Sequence, residues 1–129
     1  MNQVGEILIH EEKIRERVAE IGAEITEDYK DKELVAVCIL RGGVIFLADL
    51  VREINLPITM DFMAVSSYGL STKSSGVVRI LKDLDEDIEG KDVLIVEDVV
   101  DTGLTLHYLM DYLESRKPNS VKVCCFLDK

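Results

Sequence analysis

Several large protein classes require features that this sequence has little of. No apolar run approaches the roughly 18 residues needed to span a bilayer; the longest, Leu34–Leu40, has the length of a strand. No basic stretch precedes an apolar one in the opening Met-Asn-Gln-Val-Gly-Glu. A secretory signal is therefore not expected, and the sequence reads as cytoplasmic, with no membrane partner. There are only 3 cysteines, an odd number without metal-ligand spacing. Cys38, Cys124 and Cys125 all lie in apolar, strand-like runs and are expected to be small buried hydrophobes rather than nucleophiles. Basic residues are outnumbered 15 to 25 by acidic ones, and the net charge is −10. With no basic cluster to offset that charge, a nucleic-acid partner is not expected. Any phosphate ligand would need a divalent cation and backbone donors to do much of the electrostatic work. Repeats and linkers are also lacking, so the 129 residues read as one domain.

What is present alternates between strand and helix. Hydrophobic residues at 47% supply a core and argue against disorder. Glu6–Ile9 reads as a short extended lead-in. From Glu11 to about Lys30, apolar Ile14, Val18, Ile21 and Ile25 trace the stripe of an amphipathic helix, with Glu11 and Glu12 suited to the dipole of its first turn. The continuous run Leu34–Leu40 predicts a strand covered on both faces. Arg41-Gly42-Gly43 breaks it, and Val44–Ile54 predicts a helix ending before Pro57. Strands are expected at Ile58–Val65 and Val77–Leu81, joined as a long-armed hairpin through the Ser-, Gly- and Lys-rich segment Ser66–Gly76. Asp83–Gly90 reads as a solvated acidic loop rather than a metal site. Val93–Val96, Gly103–Arg116 and Val121–Leu127 then predict strand, helix and strand. The order implies an α/β domain with a mainly parallel sheet flanked by helices. Such sheets bind ligands at the carboxyl ends of their strands, beside a topological switch point.

The segment richest in chemistry runs Val93-Leu94-Ile95-Val96-Glu97-Asp98-Val99-Val100-Asp101-Thr102-Gly103-Leu104-Thr105. Four apolar residues make a buried strand, acids follow at its open end, and two hydroxyls flank a glycine before a helix. Amides at a helix N-terminus, with Thr side chains beside them, form an anion cradle over Asp101–Thr105. Gly103 allows close backbone approach or a positive φ. The adjacent carboxylates of Glu97 and Asp98 suit a sugar diol, directly or through metal-bound water. Asp101, at the lip of the cradle, suits a general base. On the residues alone, the same stretch also reads as an ordinary strand-to-helix turn with an Asp or Thr N-cap and solvated acids. His107 reads as a helix-surface residue, and Met60 and Met63 as packing residues.

Glu97–Thr105 closely resembles the phosphoribosyl-pyrophosphate (PRPP) motif of type I phosphoribosyltransferases. Leu40-Arg41-Gly42-Gly43 and Ser66-Ser67-Tyr68-Gly69 match the 6-oxopurine (hypoxanthine–guanine) branch of that family in the right order. The resemblance covers nearly the whole chain and implies the type I phosphoribosyltransferase fold. It implies Mg2+-dependent transfer of phosphoribose from PRPP to hypoxanthine or guanine in purine salvage, giving IMP or GMP and pyrophosphate. A nucleotide-sensing regulator built on the same fold is the alternative. Glu97 and Asp98 would then hold the ribose hydroxyls with the metal nearby, and Asp101 would handle the proton at purine N7. Asp101, Thr102, Gly103, Leu104 and Thr105 would enclose the 5′-phosphate. Leu40, Arg41 and Gly42 would form the pyrophosphate loop, whose Leu40–Arg41 peptide is cis in the family. Ser67 and Tyr68 would lie on a loop that closes over the site. Lys129 falls where the family has a lysine contacting the purine 6-oxo group. Members continue for several dozen residues beyond the last strand, so the chain reads as C-terminally shortened at its base-recognition end. A homo-oligomer, dimer or tetramer, is also implied.

Overall fold

The computed structural model describes the backbone of residues 2–40, 44–67, 78–100 and 103–128, and the side chains of 12–40, 44–66, 79–97 and 105–125. In chain order the elements are α1 (Asn2–Asp28), β1 (Leu34–Leu40), α2 (Val44–Val51), β2 (Ile58–Ser67), β3 (Val78–Lys82), β4 (Asp92–Val100), α3 (Gly103–Glu114) and β5 (Ser120–Asp128). They form one five-stranded sheet of order β3-β2-β1-β4-β5. β1 pairs in parallel with β2 and β4, and β4 with β5. Only β2–β3 is antiparallel, the expected hairpin, with a register shift between Ala64 and Val65.

Burial explains the order. β1 is buried along nearly its whole length, as its unbroken apolar run requires of a central strand. Its even residues Leu34, Ala36 and Cys38 join Val18, Ile21 and Ile25 of α1 and Phe46, Leu47 and Leu50 of α2 in one core cluster. Its odd residues Val35, Val37 and Ile39 join Met63, Val93 and Ile95 of the sheet and Leu109 and Leu113 of α3 in the other. The two helical layers therefore lie on opposite faces. Leaving β1, the chain moves through α2 to β2; leaving β4, it moves through α3 to β5. The topological switch point lies between β1 and β4.

Some boundaries depart from the sequence reading. The segment expected as an extended lead-in, 6–9, belongs to α1, which begins at Asn2. Glu11 and Glu12 are consequently mid-helix, not first-turn, residues. No proline interrupts 2–28, and extending an existing helix costs less than nucleating a separate element. α1 closes with Asp31 at φ 64°, a left-handed position that Asp tolerates at helix ends. α2 stops at Val51, earlier than expected; tighter bonds from Glu53 N to Leu50 O and from Ile54 N to Val51 O turn the chain and bury Ile54. Met63 is fully buried, but Met60 is 49% exposed and is not a packing residue; α2 lies over β1 and β4 and covers the outer strands less well. Among the cysteines, Cys38 is buried while Cys124 and Cys125 are half-buried, and all are in the thiol form.

Candidate active site

Four parallel strands end at one edge of the sheet, and two helices begin there. Leu40 ends β1 half-buried, and α2 starts at Val44. The β1–β4 ladder runs only to Cys38 opposite Val96. β4 continues beside β5, with Glu97 opposite Cys125, Val99 opposite Leu127 and Val100 opposite Asp128. Beyond Val96, β4 has therefore parted from β1 while both strands go on. That divergence at a switch point opens the crevice in which parallel sheets take ligands.

Glu97 and Asp98 thus lie within the strand, not on a loop after Val96, and the ladder to β5 fixes their backbone. Glu97 is half-buried; the side chain of Asp98 is outside the described residues. Gly103 opens α3, and Thr105 sits half-buried in its first turn. That turn carries no acidic residue, so its free amides face no competing carboxylate of their own helix, as an anion cradle requires. Leu104 contributes backbone to the same turn; its side chain is not described. Ser67 ends β2 at the same edge, and Asp128 ends β5 there. Arg41, Gly42, Gly43, Tyr68, Gly69, Asp101, Thr102 and Lys129 lie outside the described residues. The described residues that adjoin these stretches, Leu40, Val44, Ser67, Val100, Gly103 and Asp128, lie at the carboxyl edge.

The acids set a constraint on any metal. Among the described residues no group of three metal-ligating side chains comes together. Glu97 and Asp98 are hard oxygen donors on one strand, a set that suits Mg2+, which is usually held by one or two carboxylates together with substrate phosphates. His107, set aside from the site, is exposed on α3 with Nε2 3.5 Å from Asp111 Oδ2. Burial pushes the Cys124 thiol up to about 11, so it is protonated near neutrality and unsuited to nucleophilic chemistry.

Two carboxylates missed by the sequence reading are nearly fully buried. Asp61, on β2, accepts N–H bonds from Phe62 at 2.8 Å, Asp85 at 3.0 Å and Glu86 at 2.9 Å. An acid interrupting the apolar run of β2 was the available signal. Asp92, at the amino end of β4, accepts from Asn119 Nδ2 at 2.9 Å and Ser120 Oγ at 2.7 Å. The acidic loop 83–90 is only partly solvated, contrary to expectation. Ile88 plugs the core, and Asp83 accepts bonds from Tyr112 and Arg116 because the loop crosses the end of α3. Two clefts, of about 570 and 630 Å³, lie at the amino edge, lined by 84–89 with 115–117 and by 30–35 with 56–59 and Lys91. Neither is lined by a motif residue.

A family model described as phosphoribosyl transferase domain matches residues 3–129. The hypoxanthine-guanine phosphoribosyltransferase of Mycobacterium avium is 54% identical over 132 residues, covering 98% of this chain and 65% of the relative. That of Dictyostelium discoideum is 54% identical over 128 residues, covering 96% and 71%. The hypoxanthine phosphoribosyltransferase of Salmonella typhimurium is 50% identical, covering 100% and 74%. The chain thus spans about two thirds of the length of the first of these relatives. Among solved structures, a hypoxanthine-guanine phosphoribosyltransferase from Bacillus anthracis superposes with a TM-score of 0.89 at 44% identity, covering 92% of this chain and 70% of that one.

Proposed function

The chain belongs to the phosphoribosyl transferase domain family, and on that premise we propose that it transfers phosphoribose from PRPP to N9 of hypoxanthine or guanine, yielding IMP or GMP and pyrophosphate. The observation that carries the proposal is the segment 97–105, which links the carboxyl end of β4 to the acid-free first turn of α3. Similarity to named hypoxanthine-guanine and hypoxanthine phosphoribosyltransferases supports the acceptor class.

In this reading the first turn of α3, with Thr102 and Thr105, binds the 5′-phosphate. Glu97 and Asp98 orient the ribose by accepting hydrogen bonds from its hydroxyls. Bound Mg2+ would neutralise charge on the pyrophosphate and favour its departure. Leu40, Arg41 and Gly42 hold the pyrophosphate as the bond from the anomeric carbon to its oxygen breaks, and the electron pair leaves with it. The bond to N9 forms at the same carbon, through a transition state resembling an oxocarbenium ion. The proton lost from the base passes at N7 to the Asp101 carboxylate. Ser67 and Tyr68 close over the reactants and exclude water that would otherwise hydrolyse PRPP, and Lys129 meets the purine 6-oxo group. A cytoplasmic setting fits cysteines in the thiol form, and a homo-oligomer is proposed by analogy with the family. The regulator alternative gains nothing from a net charge of −10.

The test is steady-state turnover of PRPP with hypoxanthine and with guanine, on the wild type and on Asp101→Asn. Loss of a general base typically costs about 10²–10⁴-fold in rate. The variant should lose kcat by that order with PRPP affinity little changed. Turnover within threefold of wild type would remove Asp101 from the mechanism, and a wild type that consumes PRPP with neither base would remove the proposed acceptors.

A further inference from the structure

Helix α3 presents its first turn to the phosphate in the function proposed above, and this inference rests on that reading. What fixes the helix there is not its apolar face alone. Leu109 and Leu113 are buried against Val35, Val37, Val93 and Ile95, with Leu106 and Met110 beside them. Such contacts set the height of a helix above a sheet but are non-directional, so they resist sliding along its axis weakly. Among the described residues, two side chains at the end of α3 and in its following turn tie it to the residue after β3 and converge on one atom. The connection onward to β5 is held separately, by Asn119 Nδ2 donating to Asp92 Oδ1 at 2.9 Å and by backbone bonds from Gly90 N to Lys117 O and from Asn119 N to Lys91 O. Tyr112 Oη donates to Asp83 Oδ2 at 2.5 Å, and Arg116 Nη2 donates to the same oxygen at 2.8 Å. The Arg116 guanidinium also lies 5.4 Å from the centre of the Tyr112 ring. Asp83 is itself held, its Oδ1 accepting from Leu84 N at 2.7 Å.

Asp83 follows directly on β3, the second arm of the hairpin whose intervening segment carries Tyr68. Next to it, Lys82 Nζ donates to Phe62 O at 3.1 Å and to Asp83 O at 3.0 Å, tying the two arms together at their root. One carboxylate thus joins the hairpin root to the far end of the helix that bears the cradle.

We propose that Asp83 is a positioning residue, which acts through Tyr112 and Arg116 to set the axial register of α3 and hence where its first-turn amides meet the 5′-phosphate. A helix transmits a shift of one end to the other over about 1.5 Å per residue, and a misplacement of about 1 Å at a reacting centre can cost on the order of 100-fold. Because the cradle is proposed to meet the 5′-phosphate and not the base, the effect of Asp83 is expected on PRPP.

The experiment uses Asp83→Ala, which removes the acceptor, Asp83→Asn, which keeps one oxygen for Tyr112 and Arg116 at the expense of the bond from Leu84 N, and Tyr112→Phe, which removes one bond with little change of shape. Asp83→Ala should raise KM for PRPP about 5- to 20-fold, a fraction of the limit set by gross misplacement, with kcat within threefold and KM for the purine within twofold. Tyr112→Phe should do the same to a smaller degree, and Asp83→Asn should restore most of the loss. In the ligand-free chain, amide resonances of Gly103, Leu104 and Thr105 should move in Asp83→Ala and not in Asp83→Asn. A general loss of stability would change both KM values alike or neither. Either result, or resonance shifts confined to residues near 83, 112 and 116, overturns the proposal. The resonance measurement needs no turnover, so it decides the positioning role even where the purine and PRPP assay fails.

Discussion

Asp92 and Asp83 each have a carboxyl held below its ordinary value, for related reasons. Burial alone would raise both. At Asp92 the hydrogen bonds from Ser120 and Asn119, aided by the charges of Lys32 and Lys122, outweigh burial. At Asp83 the bonds from Tyr112 and Leu84 and the Arg116 guanidinium do so. A carboxyl whose folded value is depressed contributes stability that is present above its unfolded value, near about 3.9, and is lost as pH falls through the folded value. Tyr112 is shifted the other way, its phenol raised first by the bond it gives Asp83; its contribution is present below the ordinary tyrosine value and lost only at higher pH. Urea unfolding of the wild type and Asp92→Asn should therefore differ by a constant amount from about pH 5 to pH 8, and the gap should shrink below about pH 4. A gap unchanged between pH 6 and pH 3 would mean that Asp92 draws no stability from its ionised form.

Among the elements, the approach of α1 to α2 turns on Gly22. A Cβ built there would meet Glu53, with its carbonyl oxygen at 2.6 Å. Thr26, one turn on, bonds back to Gly22 O at 2.8 Å and accepts from Asn55 N at 2.9 Å, tying the helix to the chain just past α2. Helix propensity by itself favours alanine over glycine by about 1 kcal/mol, so a helix considered alone would gain from Gly22→Ala. The contact with Glu53 involves backbone and has nowhere to go, and overpacking of this kind costs about 1–3 kcal/mol. The tertiary term should win. Gly22→Ala is expected to lower the urea midpoint, and a raised midpoint would show that α1 shifts to accommodate the methyl group.

For the molecule as a whole, a net charge of −10 sets the terms on which a polyanionic substrate is accepted. Helix amides supply partial positive charge over one turn only, and the adjacent acids repel phosphate. PRPP with Mg2+ at about 100 times its dissociation constant would stabilise the fold by roughly 2.7 kcal/mol, a rise in Tm of roughly 10 °C for a chain of this size. PRPP without a divalent ion should give a small fraction of that rise. Equal shifts under the two conditions, read by differential scanning fluorimetry, would contradict the proposed role of the metal.

The order of elements was legible from the sequence because it rests on local patterns, and the proposed site was drawn from a local pattern too. The apolar run of β1 and the stripe of Ile14, Val18, Ile21 and Ile25 fall in the expected strand and helix, and the passage from apolar strand through acids to Asp-Thr-Gly is contiguous in the chain, although β4 runs on through the acids to Val100. The β2–β3 hairpin was readable too, from two short strands around a Ser- and Gly-rich segment. Asp61 and Asp92 were not, since a buried carboxylate is tolerated only when distant donors reach it, here from residues 24 to 28 positions away. Asp83 was read as solvated because its partners lie 29 and 33 residues further on. The helical start of α1 depended on cooperative extension of a neighbouring helix, and Gly22 on a second helix packed against it. The sequence alone determined the order of the strands and of the helices that follow them, and it carries the motif on which the proposed chemistry rests. Only the tertiary structure decided which acids are held by distant donors and where β1 and β4 part to open the crevice, because both depend on groups brought together by packing of the whole sheet.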